Sequence, residues 1–334
     1  MKPLATALTH RREFLAAAGA ASLAAALPRT LGAQPGGPAR LERIPRGESP
    51  LLLETPLAAL DRFITPSDLF YVRNHFPTPR IDAERYRLRV TGAVERELEL
   101  SLADLRRMTA RTLPVTLECA GNSRRSLTPP VRGVQWDNGA VSTAEWTGVS
   151  LIHLLNRAGL RAGAVDVVLE GADAGQVNAE PRSPGSIHYA RSLPLEKARQ
   201  RDVLLAYRMG DADLPPNHGF PLRAVVPGWY GMASIKWLTR IVVTDRPYNG
   251  YYQSLDYSIY ERRQGLVTVT PITSMQVKSL ILSPTAGQRV RGPVRIQGVA
   301  WAGESAIARV QVSTDGGRNW SDAQLAQNPR PHCW

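Results

Sequence analysis

The sequence predicts an α+β domain followed by a β-sandwich of immunoglobulin-like type. Between residues 51 and 262, apolar runs with strand periodicity mix with short helical stretches, without a regular βαβ alternation. From residue 269 to residue 334, short alternating runs are divided by Pro and Gly residues and by an Asp-Gly-Gly turn at 315–317. A length of 334 residues with 43% hydrophobic content is sufficient for two such domains.

The elements of the first domain follow from local patterns, taken in chain order. RYRLRVTGAV, from Arg85, alternates apolar and charged residues and predicts a strand with one buried face. Ser101 can cap a short helix that has Asp104 in its first turn. PVTLECAGN predicts a strand that ends in a turn at Cys119, and SLIHLLNRAGL predicts a helix closed by Gly159. VDVVLEGAD, FPLRAVVPG and IKWLTRIVVTD are predicted to be buried strands.

The second domain is predicted to be incomplete. About 65 residues follow from Val269, whereas an immunoglobulin-like sandwich normally takes ~100 residues. An unfinished sandwich exposes strand edges and apolar surface. We therefore expect this domain to be less stable, and to associate more weakly, than a complete one.

The first 33 residues are predicted to be a twin-arginine export signal. Arg11 and Arg12 precede Phe14 and an alanine-rich apolar run that reaches Leu27. The run is too short and too rich in alanine for a stable membrane span; an ordinary secretory signal is the alternative. Residues 34–50 are predicted to be a linker rich in Pro, Gly and Arg. The signal predicts a periplasmic protein that is exported in its folded state.

The charge of the chain favours a small anionic substrate over nucleic acid. The formal net charge is +12. Most of the basic residues are single arginines between apolar positions, without the Lys/Arg blocks that nucleic-acid-binding proteins usually show. We therefore expect no nucleic-acid partner.

Cys119 has four chemical interpretations on the basis of the residues alone. It can be a small buried side chain, a nucleophile, half of a disulfide with Cys333, or a metal ligand. None of the six histidines lies in a local pattern that identifies a catalytic base, and Cys333 is next to the last residue. Zinc requires several Cys or His ligands at close spacing. A soft metal that takes its other ligands from a cofactor is compatible with one thiolate, and so is simple burial.

The neighbours of this cysteine resemble a known family. CAGNSRR is preceded by YVRNHFP and followed by GVQWDNGAVSTAEWTGVSL, NHGFPLRAVVPG, SIKWL and LDYS. In this order and spacing, the motifs resemble those of the sulfite oxidase family of molybdenum enzymes. The likeness extends from Leu69 to Tyr257 and continues into the family's dimerisation domain. The resemblance implies a molybdopterin-binding domain of the sulfite oxidase type, followed by an immunoglobulin-like dimerisation domain that is shortened here.

The resemblance also implies a site and a cofactor. Cys119 matches the thiolate that binds molybdenum in a Mo-molybdopterin cofactor. Arg73 and Arg124 match the arginines of the substrate pocket, and Tyr257 matches the active-site tyrosine. The positions that match residues holding the pterin are Tyr71, Val72, Arg73, Asn74, His75, Asp173, His218, Arg223, Ser234, Ile235 and Lys236.

The activity implied by the resemblance is the oxidation of sulfite to sulfate. Because no haem domain is evident in the sequence, the electrons are expected to pass singly to an external acceptor such as a c-type cytochrome. Members of the family form homodimers, and the shortened second domain predicts weaker dimerisation here. Two alternatives are a reductase of nitrate or methionine sulfoxide from the same broad group, and a non-catalytic exported protein that binds anions.

Overall fold

The computed structural model describes residues 40–326. The predicted export signal, residues 34–39 of the predicted linker and Cys333 lie outside the described residues. The rest of the predicted linker is not all linker, because Ile44–Glu48 forms a strand that pairs with Leu51–Glu54. Cys119 is a free, buried cysteine. Within residues 40–326, no helix has the length and apolar character that crossing a membrane requires.

The first domain consists mainly of strands, with three short α-helices. The helices are α1 Leu102–Arg107, α2 Leu151–Ala158 and α3 Leu195–Ala198. In chain order, the strands are β1 Ile44–Glu48, β2 Leu51–Glu54, β3 Val72–Arg73, β4 Arg87–Gly92, β5 Leu98–Ser101, β6 Ala110–Glu118, β7 Val141–Ser150, β8 Asp166–Gln176, β9 Ser186–Pro194, β10 Leu204–Met209, β11 Ala212–Asp213, β12 Arg223–Val225 and β13 Leu238–Thr244.

These strands form two five-stranded sheets and one small sheet. The first large sheet has the order β11–β10–β7–β6, with β12 also paired to β10, and all of its pairs are antiparallel. The second has the order β5–β4–β13–β8–β9, in which β13 and β4 are parallel. The small sheet has the order β1–β2–β3. This mixture of antiparallel sheets and short helices is the α+β arrangement that the sequence predicts.

The helix ends confirm the predicted capping residues. At the start of α1, the Asp104 N–H donates to Ser101 Oγ over 3.1 Å, and the Ser101 N–H donates back to the Asp104 carboxylate over 2.9 Å. This reciprocal pair satisfies two backbone N–H groups that a helix start leaves free. Helix α2 ends at Gly159, whose φ of +71° favours glycine and whose N–H donates to the Leu155 carbonyl over 3.0 Å.

Apolar side chains of both large sheets share one core with α2. Val149 and Leu205 of the first sheet belong to the same buried cluster as Leu169 and Ile241 of the second, and Leu154 of α2 joins them. A second cluster, on the other side of the first sheet, contains Leu117, Trp136, Trp146 and Cys119. The end of β6 is therefore held in apolar packing where Cys119 begins the following turn.

One predicted strand is shorter than its pattern indicates. In FPLRAVVPG, strand pairing is restricted to Arg223–Val225. Pro221 and Pro227 flank this segment, and a proline has no N–H to donate to a neighbouring strand. The prolines bound a segment of five residues, 222–226, of which the central three pair as β12.

The alternating pattern of the second domain forms paired strands. The strands are β14 Ser258–Arg263, β15 Leu266–Pro271, β16 Lys278–Ser283, β17 Gln297–Trp301, β18 Gln311–Val312 and β19 Ser321–Asp322. They pair as three antiparallel ribbons, and up to residue 326 each ribbon remains two-stranded. The β14–β15 hairpin spans the interval between the two predicted domains.

The second domain packs directly on the first. Met275 and Trp301 are buried in one cluster with Leu60 and Val141 of the first domain. The Met275 N–H donates to the Gly228 carbonyl over 2.9 Å. Because Val141 begins β7, which pairs with the end of β6, this contact lies close to the segment that carries Cys119.

Candidate active site

A cavity, part of whose roughly 630 Å³ of empty space is open to solvent, lies where the turn after β6 meets β3 and the loops around residues 218, 234 and 257. Apolar, cationic and hydroxyl-bearing side chains all face it. Its lining comprises Phe70, Tyr71, Arg73, Asn74, His75, Leu117, Cys119, Ala120, Asp173, Tyr189, His218, Arg223, Gly231, Met232, Ser234, Lys236, Trp237 and Tyr257.

Cys119 is held in this cavity by a tight turn. Its N–H donates to the Ala140 carbonyl over 2.9 Å, and its carbonyl accepts from the Asn122 N–H over 2.9 Å. The Gly121 N–H donates to Cys119 Sγ over 3.4 Å. Burial raises the pKa of the Cys119 thiol, while the positive charge of Arg73 opposes that rise. A bound metal would take this sulfur as the thiolate.

Tyr257 and His75 form a hydrogen-bonded pair on the wall of the cavity. His75 Nε2 lies 2.7 Å from the Tyr257 hydroxyl, and the His75 ring stacks on Tyr189 with 4.1 Å between ring centroids. Burial, followed by the charges of Arg73 and Lys236, holds the pKa of His75 well below its ordinary value. His75 is therefore a neutral imidazole at neutral pH.

Three cationic side chains line the cavity within the described part of the chain: Arg73, Arg223 and Lys236. Arg223 donates to the carbonyls of His218 and Ser234 over 3.1 and 3.0 Å. Lys236 Nζ donates to the Asn74 side chain and, over 3.0 Å, to a backbone carbonyl. Burial lowers the pKa of Arg223 to about 10 and that of Lys236 well below its ordinary value. Cations held in low-dielectric surroundings stabilise a bound anion strongly.

Two buried polar atoms in the lining show where a polar ligand fits. Asp173 Oδ1 and His218 Nε2 are inaccessible to solvent and have no hydrogen-bond partner among residues 40–326. Buried polar groups in proteins are nearly always paired, so these two atoms indicate contacts to a bound group. A thiolate, two orphaned polar atoms and three cations fit Mo-molybdopterin, which combines a soft metal, a polar heterocycle and a phosphate.

The structure brings together eleven of the fourteen predicted site residues in the cavity lining. These are Tyr71, Arg73, Asn74, His75, Cys119, Asp173, His218, Arg223, Ser234, Lys236 and Tyr257.

Two of the remaining predicted residues, Val72 and Ile235, lie beside the lining without belonging to it. Val72 is buried on β3, where it pairs with Leu53, and Ile235 belongs to the core between the large sheets. Neighbouring side chains of a strand face opposite sides, so Val72 on β3 points away from the cavity that Tyr71 and Arg73 line. Ile235 lies in the loop before β13, between Ser234 and Lys236, whose side chains line the cavity.

Arg124 lies next to the cavity but outside its lining. It begins a short 3₁₀ turn, Arg124–Ser126, and its Nη1 donates to the Val134 carbonyl over 3.0 Å. Its charge still acts on the site, because it lowers the pKa of the Cys119 thiol. Arg124 is thus an electrostatic neighbour of Cys119, whereas Arg125 is exposed and forms an ion pair with Asp137.

Sequence reasoning did not identify two buried charged residues near the site. Arg191, on β9, donates to the carbonyls of Tyr252 and Ile272 over 2.5 and 2.7 Å, and more weakly to that of Tyr257 over 3.4 Å. Glu118 immediately precedes Cys119 and is fully buried. A charged residue within an apolar strand is a signal for such a role, because isolated charges are rarely buried without partners.

Comparisons with known proteins agree with this geometry. The family model described as oxidoreductase molybdopterin binding domain matches residues 75–252, and that described as Mo-co oxidoreductase dimerisation domain matches residues 269–333. Sulfite oxidase of Gallus gallus is 39% identical over 304 residues, which cover 85% of this chain and 64% of that protein. The mitochondrial sulfite oxidase of Homo sapiens is 38% identical, with 85% of this chain and 54% of that protein covered.

A nitrate reductase and a solved structure are also similar. Nitrate reductase [NADH] of Cichorium intybus is 32% identical, with 86% of this chain and 34% of that protein covered. The crystal structure of the sulfane dehydrogenase SoxCD from Paracoccus pantotrophus matches with a TM-score of 0.76 and 30% identity, covering 92% of this chain and 79% of that one. The chain spans between about half and two thirds of the length of the sulfite oxidases that it matches. With its Mo-molybdopterin site, the chain belongs to the sulfite oxidase family of molybdenum oxidoreductases.

Proposed function

We propose that the protein oxidises sulfite to sulfate. The observation that carries this proposal is the buried cationic cavity with Cys119 in its lining, since a small dianion and a soft metal both find ligands there. The sulfite oxidases among the similar proteins support the choice of substrate.

The residues of the cavity divide into three roles under this proposal. Cys119 binds the metal as a thiolate. Arg73 holds the sulfite dianion by charge-assisted hydrogen bonds, Arg124 adds its positive charge from beside the cavity, and Tyr257, oriented by neutral His75, adds a hydroxyl contact. The residues that hold the pterin and its phosphate are Tyr71, Asn74, Asp173, His218, Arg223, Ser234 and Lys236, with Val72 and Ile235 contributing through their backbone.

The reaction consumes one water and releases two electrons and two protons for each sulfite. When bound, Mo-molybdopterin accepts the two electrons and supplies the oxygen that the sulfur gains. The protein's own contribution is to position the anion and to bury the site away from bulk solvent. The electrons then leave singly to an external acceptor, for which we propose a c-type cytochrome.

The proposed setting is the periplasm. Arg11 and Arg12 support export by the twin-arginine route, which carries folded proteins. The match to a Mo-co dimerisation domain supports a homodimer. Fractionation of cells that express the full chain, followed by light scattering of the purified protein, tests both statements.

The test of the activity is a steady-state assay of the cofactor-loaded protein with three substrates. We expect sulfite to reduce ferricyanide and cytochrome c, and we expect nitrate and methionine sulfoxide to be reduced at least about a hundredfold more slowly by a chemically reduced dye. Reduction of nitrate or sulfoxide at the higher rate would assign the protein to the reductase alternative. A folded protein that contains no molybdenum after expression in a cofactor-producing host would favour the non-catalytic anion-binding alternative.

A further inference from the structure

We infer that Glu118 is a positioning residue through which the second domain holds the turn that carries Cys119. Glu118 is the last residue of β6 and is 0% exposed. The inference rests on the proposed function only in taking Cys119 as the metal ligand. Contacts between the two domains therefore help to hold the Cys119 turn in place.

Within residues 40–326, three side chains donate hydrogen bonds to the Glu118 carboxylate. Lys278 Nζ and Asn122 Nδ2 donate to Oε1 over 2.8 and 3.0 Å, and Trp301 Nε1 donates to Oε2 over 2.8 Å. Lys278 and Trp301 stand opposite each other in the β16–β17 ribbon. Two of the three donors to this buried carboxylate therefore come from one strand pair of the second domain.

The same lysine also contacts the far end of the turn. Lys278 Nζ donates to the Asn122 carbonyl over 3.2 Å, and the Asn122 side chain accepts from the Ala140 N–H over 3.0 Å. Glu118 and Asn122 are the first and last residues of the segment around Cys119. A single ammonium group thus bridges both ends of that segment.

A buried carboxylate such as that of Glu118 requires its hydrogen-bond donors to stay in place. An ionised carboxylate without solvent contact needs hydrogen bonds or a counter-ion, and removal of one partner leaves an uncompensated charge. When Lys278 or Trp301 moves away, the carboxylate must turn toward solvent and move the backbone that it shares with Cys119. Separation of the second domain is therefore expected to loosen the Cys119 turn first.

A second ion pair between the domains provides a matched control. Lys197 Nζ lies 2.8 Å from Glu304 Oε1, which is also the distance between Lys278 and Glu118. Glu304 contacts Trp229 and Ser274 and does not bond to the 118–122 segment. Loss of either pair weakens the contact between domains, but only loss of Lys278 is expected to affect Cys119.

The test measures the alkylation of Cys119 in the full chain without cofactor. Cys333→Ser serves as the parent, so that a single thiol reacts. The alkylation rate is measured at several pH values between about pH 7 and about pH 10 and fitted to a single ionisation, which gives the reactivity of the thiolate separately from the pKa of the thiol. We expect Lys278→Met to raise this rate about tenfold and Trp301→Phe about threefold, with unchanged circular dichroism. Lys278→Arg, which keeps the cation, should stay within about twofold of the parent.

Three outcomes overturn the inference. The first is an alkylation rate of Cys119 in Lys278→Met that equals the rate in the parent. The second is a rise in this rate in Lys197→Met as large as in Lys278→Met. The third is a rate in Lys278→Arg as high as in Lys278→Met. If Lys278→Met does not fold, Trp301→Phe decides, because phenylalanine retains the buried ring and removes only the N–H donor; a parental rate in that variant also refutes the inference. Since the assay needs neither metal nor sulfite, its result is independent of the proposed activity.

Discussion

At the scale of single residues, the chemistry of the site is set by burial. Cys119, His75, Arg223 and Lys236 all have pKa values displaced in the direction that burial imposes on the charged form. Such displacement costs folding free energy and is typical of functional sites. The side chains are poised for a ligand that supplies opposite charge and hydrogen bonds.

Replacement of Cys119 by serine separates metal binding from folding. Serine preserves the size of the side chain, but its hydroxyl is a poor ligand for a soft metal. We expect Cys119→Ser to lower the rate of sulfite oxidation by at least about a hundredfold while changing the unfolding free energy of the cofactor-free chain by less than about 1 kcal/mol. Turnover measurements and urea denaturation check the two parts, and near-normal turnover would contradict the role of Cys119.

At the scale of elements, Arg191 connects a strand to the turn that precedes Tyr257, one of the residues that line the cavity. Its guanidinium extends from β9 to the π-helical turn Tyr252–Asp256 and to Ile272, the residue after β15. The cation also lies 5.9 Å from the centre of the Tyr257 ring. One buried side chain thus orients two segments that are distant in sequence.

Arg191→Met is expected to destabilise this junction and to displace Tyr257. Methionine fills similar space, but it removes the guanidinium donors to the carbonyls of Tyr252 and Ile272, which costs about 3 kcal/mol of unfolding free energy. We also expect a higher KM for sulfite, with a smaller change in kcat.

A surface arginine of the same sheet supplies the control for Arg191. Arg240, on β13, pairs with Glu170 over 2.9 Å and is 50% exposed. Arg240→Met should cost less than about 1 kcal/mol, as exposed ion pairs do. Equal losses for the two variants in urea denaturation would contradict the orienting role of Arg191.

At the scale of the whole molecule, stability is coupled to the protonation of the buried site. The pKa values of His75 and His218 are both held well below the ordinary value, first by burial and then by neighbouring cations. The unfolded chain therefore binds more protons than the folded chain once the pH falls below about 6.5. Stability is present above that pH and is lost as the pH falls toward the folded-state values.

This linkage predicts an acid-sensitive fold. Between about pH 6 and about pH 5, we expect the unfolding free energy to fall by up to about 1.4 kcal/mol per pH unit for each of the two imidazoles. Urea denaturation of the cofactor-free chain at a series of pH values measures the slope. His75→Asn and His218→Asn should each reduce it, and a slope unchanged in both variants would contradict the assignment.

Much of the local structure and most of the cavity lining could be predicted from the sequence. The Ser101 cap, the Gly159 helix end and the strand that ends before Cys119 each depend on residues only a few positions apart. The site residues could be predicted because the motifs that contain them have the order and spacing seen in the sulfite oxidase family. The prediction included Val72 and Ile235 because a motif does not state which of its side chains face a ligand.

The sequence by itself determined the α+β character of the first domain and the paired strands of the second, and its motifs singled out Cys119 as the candidate metal ligand. Only the tertiary structure decided which charged groups are buried and what they contact. The donors to Glu118 from Lys278 and Trp301 come from 160 and 183 residues away, and no local pattern encodes such a pairing. The reason is physical: local propensities act over a few residues, whereas the burial of a charge depends on every element that packs around it.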